Sequence, residues 1–167
     1  YIKIQSFVYM PANGVVQGMR PIMSYNYGAG SRKRMMETLK SSLQVAGAIM
    51  LLGTVLFLAC PGWIMKLFDA GDEMMRLGVP MLRIISLGFV VSTVGCVLSG
   101  SFEALGQGLH SLLISMLRQL VIIVPLSALF CRIWGIYGVW VTFPLAELIA
   151  AAAAVVLFKR FMKKLKV

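Results

Sequence analysis

Four stretches of this chain, Leu39–Cys60, Val79–Phe102, Leu109–Cys131 and Trp134–Phe158, are long and apolar enough to cross a bilayer. Its hydrocarbon core is about 30 Å thick, and a helix of about 20 residues covers it. Hydrocarbon offers no water to backbone N–H and C=O groups, so runs of this kind must close their hydrogen bonds within themselves, as helices. A fifth segment, Ile4–Tyr27, is interrupted by Gln5, Asn13, Gln17 and Arg20, yet Tyr9, Met10, Val15, Val16, Met19, Ile22 and Met23 supply an apolar surface. It reads as a spanning helix whose polar groups face other helices or a water-filled cavity. Composition agrees, with 59% hydrophobic and 13% charged residues against about 45–50% and about 25% in soluble domains. The expected fold is all-α: a polytopic membrane bundle of about five helices filling residues 1–167, with spans at 4–27, 39–60, 79–102, 109–131 and 134–158.

The connectors carry the charge. Gly28–Arg34 is a Gly-Ser-basic turn, Glu103–His110 a Gly-rich turn, and Arg132 marks a tight hairpin between the last two spans. Pro61–Gly78 mixes Trp63, Ile64, Leu67 and Phe68 with Lys66, Asp69, Asp72 and Glu73, which suits a helix lying flat at the membrane surface. Arg32, Lys33, Arg34, Lys40, Lys159, Arg160, Lys163, Lys164 and Lys166 fall on one side of the membrane, against Lys3, Lys66, Arg76 and Arg132 on the other. By the positive-inside rule the richer side, with the C-terminus, is cytoplasmic. The net charge of +10 is thus a membrane anchor. Nucleic-acid binding is not expected, because no basic patch carries interleaved aromatics. With five spans and a cytoplasmic tail, Tyr1 lies outside, and the chain reads as a C-terminal portion of a longer one.

No catalytic or metal constellation emerges. Cys60, Cys96 and Cys131 sit in apolar runs without a C-x-x-C spacing, and His110, the single histidine, reads as a loop residue. Tyr27-Gly28-Ala29-Gly30 follows a helix, not a strand, so it reads as a helix C-terminus and turn. No enzyme is expected, and no cofactor or metal site. What remains are polar residues at membrane depth. Asn13, Gln17 and Arg20 share one helix face by their i, i+4, i+7 spacing, beside Pro11, which breaks one backbone bond. Asn13 and Gln17 either line a cavity or bond a neighbouring helix. Arg20 lies nearer the cytoplasmic end, where it can snorkel to water. Arg118 and Glu147, in the last two spans, either pair structurally or form a protonatable relay, and Glu103 at the end of the third span is explained by solvation. Met10, Met19 and Met23 fall near the polar stripe, where flexible side chains suit varied lipophilic ligands as well as ordinary packing.

Several blocks of the sequence resemble a known family. Met10-Pro11-Ala12-Asn13-Gly14-Val15-Val16-Gln17-Gly18-Met19-Arg20-Pro21-Ile22 with Ser24-Tyr25-Asn26-Tyr27-Gly28-Ala29-Gly30 is similar to helix eight of the multidrug and toxin extrusion (MATE) transporters. Glu103-Ala104-Leu105-Gly106 resembles the turn after helix ten, and Ser115-Met116-Leu117-Arg118-Gln119 with Pro125 resembles helix eleven. Gly135-Ile136-Tyr137-Gly138-Val139-Trp140 and Phe143-Pro144-Leu145-Ala146-Glu147 resemble helix twelve.

That resemblance implies a twelve-helix, two-lobe antiporter that exports amphiphilic, often cationic drugs or toxins by alternating access, driven by sodium or protons. This chain then supplies helices eight to twelve of the C-terminal lobe in the plasma membrane. Its partners are the bilayer, the N-terminal lobe and small amphiphilic substrates. Met10, Asn13 and Gln17 are the expected substrate contacts; Arg20, Arg118 and Glu147 are structural or relay residues. Some members carry a coupling carboxylate in helix ten, but Val79–Phe102 holds no Asp or Glu, so no ion site is assigned. Two other readings stand beside this one: a lipid-linked precursor flippase of related architecture, and a truncated or split subunit that transports nothing alone.

Overall fold

The computed structural model describes residues 2–68 and 71–165. Tyr1, Asp69 and Lys166 lie outside the described residues, as do the side chains of Lys3, Ile4 and Gln5. All regular structure among the described residues is helical: α1 (Ile2–Gly28), α2 (Arg32–Ala59), α3 (Pro61–Leu67), α4 (Asp72–Ser86), α5 (Phe89–Ala104), α6 (Gly108–Met116), a π-helical segment (Leu117–Ile123), α7 (Val124–Trp134) and α8 (Ile136–Lys164).

The helices pack through stripes visible in the sequence. In α1, Val8, Ala12, Val16, Met19 and Met23 recur at three- and four-residue spacing and are buried, which puts them on one face. In α2 the same spacing buries Met35, Leu39, Ala46, Met50 and Phe57. The other side of α2, with Leu52, Val55 and Leu56, is exposed and equally apolar, as a lipid-facing helix requires. At the centre stands α5, which contacts α1, α2, α6 and α8. Phe89, Val97, Leu98 and Phe102 are all buried on it, together with Ser92, Thr93 and Ser101, whose hydroxyls bond carbonyls of their own helix. Those local bonds let hydroxyls sit in an apolar core without stranded donors.

Among the described residues, three helical stretches are long and apolar enough to cross a membrane: Arg32–Ala59, Gly108–Trp134 and Ile136–Lys164. The pair Asp72–Ser86 and Phe89–Ala104 makes a fourth if counted as one span, but it bends by 53°. The third expected span, Val79–Phe102, is therefore broken at Leu87–Gly88. A Cβ on Gly88 would lie 3.2 Å from the Cα of Pro144, so the glycine at this break lets α8 approach closely. The expected fifth span, α1, has the length, at 27 residues, but its polar residues keep it out of the apolar set.

Other boundaries differ from expectation too. Pro61–Gly78 is not one surface helix: α3 ends at Leu67, and the second half opens α4 at Asp72. The hairpin before α8 turns at Gly135, with φ 61° and ψ −142°, while Arg132 sits in the last turn of α7. That conformation is open almost solely to glycine. The fourth span contains the π segment directly before Pro125. Proline offers no N–H to the carbonyl four residues earlier and crowds it, and the backbone ahead of it widens to the π pattern.

Candidate functional site

Helix α1 presents two faces. Behind it, Met19 and Met23 are 2% and 1% exposed, so they pack the core; in front, Met10 is 71% exposed, and Asn13 and Gln17 are exposed beside it. The sequence grouped these methionines together, and the structure separates them. The three predicted substrate contacts share an uncovered surface, of which Asn13 also borders a cleft.

That cleft, of about 160 Å³, lies where α1, α5, α6 and α8 meet. Its polar lining is Asn13, Arg20, Cys96, Ser99, Glu103, Ser115 and Arg118. Two ion pairs meet it. Arg20 Nη2 lies 2.6 Å from Glu103 Oε2. Ser111 Oγ donates to Glu103 Oε1 at 2.7 Å. Ser111 has a single hydroxyl proton, so Ser99, whose Oγ is 2.5 Å away, donates to Ser111. A chain of donors thus converges on one carboxylate from α5, α6 and α1. Arg20 and Glu103, read from the sequence as near water, hold each other while staying partly exposed. Partial exposure, at 43% and 39% of their side chains, leaves this pair in contact with the surroundings.

The second pair brings together the two residues that the sequence reading leaves as a structural pair or a relay. Arg118 Nη1 lies 3.4 and 3.3 Å from the two Glu147 oxygens, with the side chains 26% and 16% exposed. Arg118 stands in the π segment and Glu147 three residues after Pro144 in α8. Arg118 comes from the irregular stretch of its span, where a π turn re-aims side chains, while Glu147 lies in continuous α-helix one turn after Pro144.

His110 is not a loop residue. It lies within α6, and its ring stacks on Phe102 with centroids 5.1 Å apart and an interplanar angle of 13°. Among the described residues no group of three or more His, Cys, Asp or Glu side chains gathers as a metal site would require. Gln17 and Met10 are not brought into the cleft. Ser99, Ser111 and Glu103 were missed as partners because their contacts join separate helices rather than neighbours in sequence. Only the parity of the spans, which runs α1 and α5 in the same direction, hinted that Arg20 and Glu103 end at one level.

Comparisons with known proteins follow the same lines. The MatE family model matches residues 1–129. The multidrug export protein MepA of Staphylococcus aureus (strain bovine RF122 / ET3-1) is 22% identical over 144 residues, which is 86% of this chain and 32% of that protein. The solved structure of the MATE multidrug transporter DinF-BH superposes with a TM-score of 0.85 at 32% identity, over 94% of this chain and 35% of that one. Outward-facing and inward-facing conformations of a multidrug resistance MATE family transporter of the MOP superfamily each give a TM-score of 0.90 at 19% identity. They cover 96% and 99% of this chain and 36% and 39% of theirs. The chain spans about a third of the length of these relatives. With a family model that matches most of its length and a helical bundle that superposes on solved members, the chain belongs to the MatE family of membrane transporters.

Proposed function

We propose that this chain works as part of the C-terminal lobe of a multi-pass antiporter in the plasma membrane, exporting amphiphilic, often cationic compounds. The uncovered polar face of α1 carries this reading. Asn13 and Gln17 are exposed on a helix whose neighbours α2 and α5 occupy its other side. Amides at membrane depth call for water or protein opposite them, not hydrocarbon. An N-terminal lobe across that face closes a cavity, with Met10 as an adaptable apolar contact. Alternating access by rocking of rigid lobes is supported by the equal likeness of this chain to outward- and inward-facing relatives. Sodium or protons drive the cycle, and the basic ends of α2 and α8 face the cytoplasm.

The test is export of a fluorescent lipophilic cation by the transporter assembled with both lobes. Asn13→Leu combined with Gln17→Leu lowers the initial rate at least about fivefold, with membrane insertion measured in parallel and unchanged. Full export by a normally inserted double variant removes these residues from the cavity.

A further inference from the structure

Between the first turn of α2 and the last turns of α8 lies a concavity of about 370 Å³, lined by Arg32, Lys159, Arg160 and Lys163 with Val156 and Met162. Among the described residues no carboxylate lines it. Arg32 Nη2 donates to the Met162 carbonyl oxygen at 3.0 Å. That bond fixes the guanidinium across the two helix ends. It also occupies one of the C-terminal carbonyls that would otherwise present negative charge there. The described acidic groups at this end of the bundle lie elsewhere: Glu103 pairs with Arg20, and Glu37 borders a separate groove with Arg34.

Cations that serve only as positive-inside anchors project separately into water. Here four line one hollow, largely through their aliphatic stems, and the hollow has an apolar end. Val156 stands seven residues before Lys163, about 10 Å along the axis at 1.5 Å per residue, in the exposed apolar part of the α8 span. The lining therefore runs from Val156, in the apolar span, past the stems of Lys159 and Arg160 to Lys163 and Arg32 at the helix end. Basic pockets between membrane helices recognise phosphate headgroups by this arrangement. A soluble anion has no use for the apolar wall, whereas a phospholipid places its acyl chains against it.

We propose that the pocket formed by Arg32, Lys159, Arg160 and Lys163 beside Val156 is a binding site for the phosphate headgroup of one anionic phospholipid. The site does not depend on which compound is exported. It is tested by native mass spectrometry of the purified transporter with phosphatidylglycerol, with phosphatidylcholine, and with inorganic phosphate alone. One phosphatidylglycerol adduct saturates and persists under conditions that strip phosphatidylcholine. Arg160→Gln with Lys163→Gln weakens it about tenfold more than the charge-matched Lys33→Gln with Lys164→Gln, as loss of a charge-assisted hydrogen bond implies. Arg32 is kept in both variants so that the α2–α8 tie survives. If melting shows the pocket variant to be misfolded, Lys163→Gln alone is read, with about a threefold loss expected. Equal losses in the two charge-matched variants mean diffuse surface charge and overturn the site. Binding of inorganic phosphate as tight as that of the lipid overturns the lipid assignment.

Discussion

Removing Glu147 decides whether its pairing with Arg118 is structural. Two unit charges 3.3 Å apart attract by about 5 kcal/mol at an effective dielectric of about 20. Desolvation of both groups offsets much of that, and the contact is longer than the roughly 2.7–2.9 Å of a strong charge-assisted bond. Losing one partner of a buried pair costs about 3–5 kcal/mol, because the survivor is stranded, and the long contact places this pair near the lower end of that range. For a unit of this size such a loss lowers the melting temperature by about 6–12 °C. Glu147→Leu and Arg118→Leu each show this loss in thermal unfolding of the purified transporter. The double variant strands nothing and recovers most of it. Glu147→Gln retains a hydrogen-bond acceptor and loses only about 1–2 kcal/mol. A double-mutant coupling below about 0.5 kcal/mol refutes structural pairing. Abolished export by Glu147→Gln at unchanged melting temperature points instead to a proton relay.

Two further perturbations follow. Glu103→Gln removes the charge that Arg20 faces but leaves an oxygen for Ser111 to donate to; exposure of both charged side chains holds the loss to about 1 kcal/mol, read as a melting shift of a few degrees. Cys60 is exposed and stands just beyond the end of α2 opposite Arg32, about 42 Å along a 28-residue helix. With Cys96→Ser and Cys131→Ser in place, a membrane-impermeant maleimide added to intact cells labels Cys60. Labelling that requires permeabilised cells reverses the proposed orientation.

Much of the architecture is written in runs and stripes that need no long-range knowledge. The apolar runs mark α2, the stretch from α6 to α7, and α8, and the spacing of Val8, Ala12, Val16, Met19 and Met23 marks the buried face of α1. Breaks within spans are harder. Leu87-Gly88 interrupts a run that is apolar on both sides, and what Gly88 meets there is the backbone of α8 at Pro144, far along the chain. The π segment had a local signal in Pro125, yet proline predicts a disturbed ladder without saying whether it kinks or widens. Charged pairs divide in the same way. Arg118 and Glu147 lie in consecutive spans joined by one turn, so proximity follows from topology. Arg20 and Glu103 meet only after α1 and α5 pack, a contact that no local pattern encodes.

Two of the uncovered surfaces of the bundle differ in chemistry, and that difference bears on how the bundle is placed. On α2 the exposed residues include Leu51, Leu52, Val55 and Leu56, which need nothing but hydrocarbon. On α1 they include Asn13, Gly14, Gln17 and Gly18, whose amides and bare backbone are costly against lipid and suited to water or a second protein surface. The proposed placement sets the apolar face of α2 against lipid and the polar face of α1 against the second lobe. The formal charges beside that face are paired: the partly exposed Arg20 is matched by Glu103, and Arg118 by Glu147, in and beside the cleft. What α1 exposes is uncharged amide and glycine together with the apolar and aromatic side chains of Phe7, Met10, Ile22 and Tyr25. On the proposed reading, such a wall neither repels a lipophilic cation nor holds it by a desolvated ion pair. A carboxylate engineered into this face, as in Gln17→Glu, is expected to slow turnover of cationic substrates while tightening their binding. Unchanged turnover and affinity together would place Gln17 outside the route.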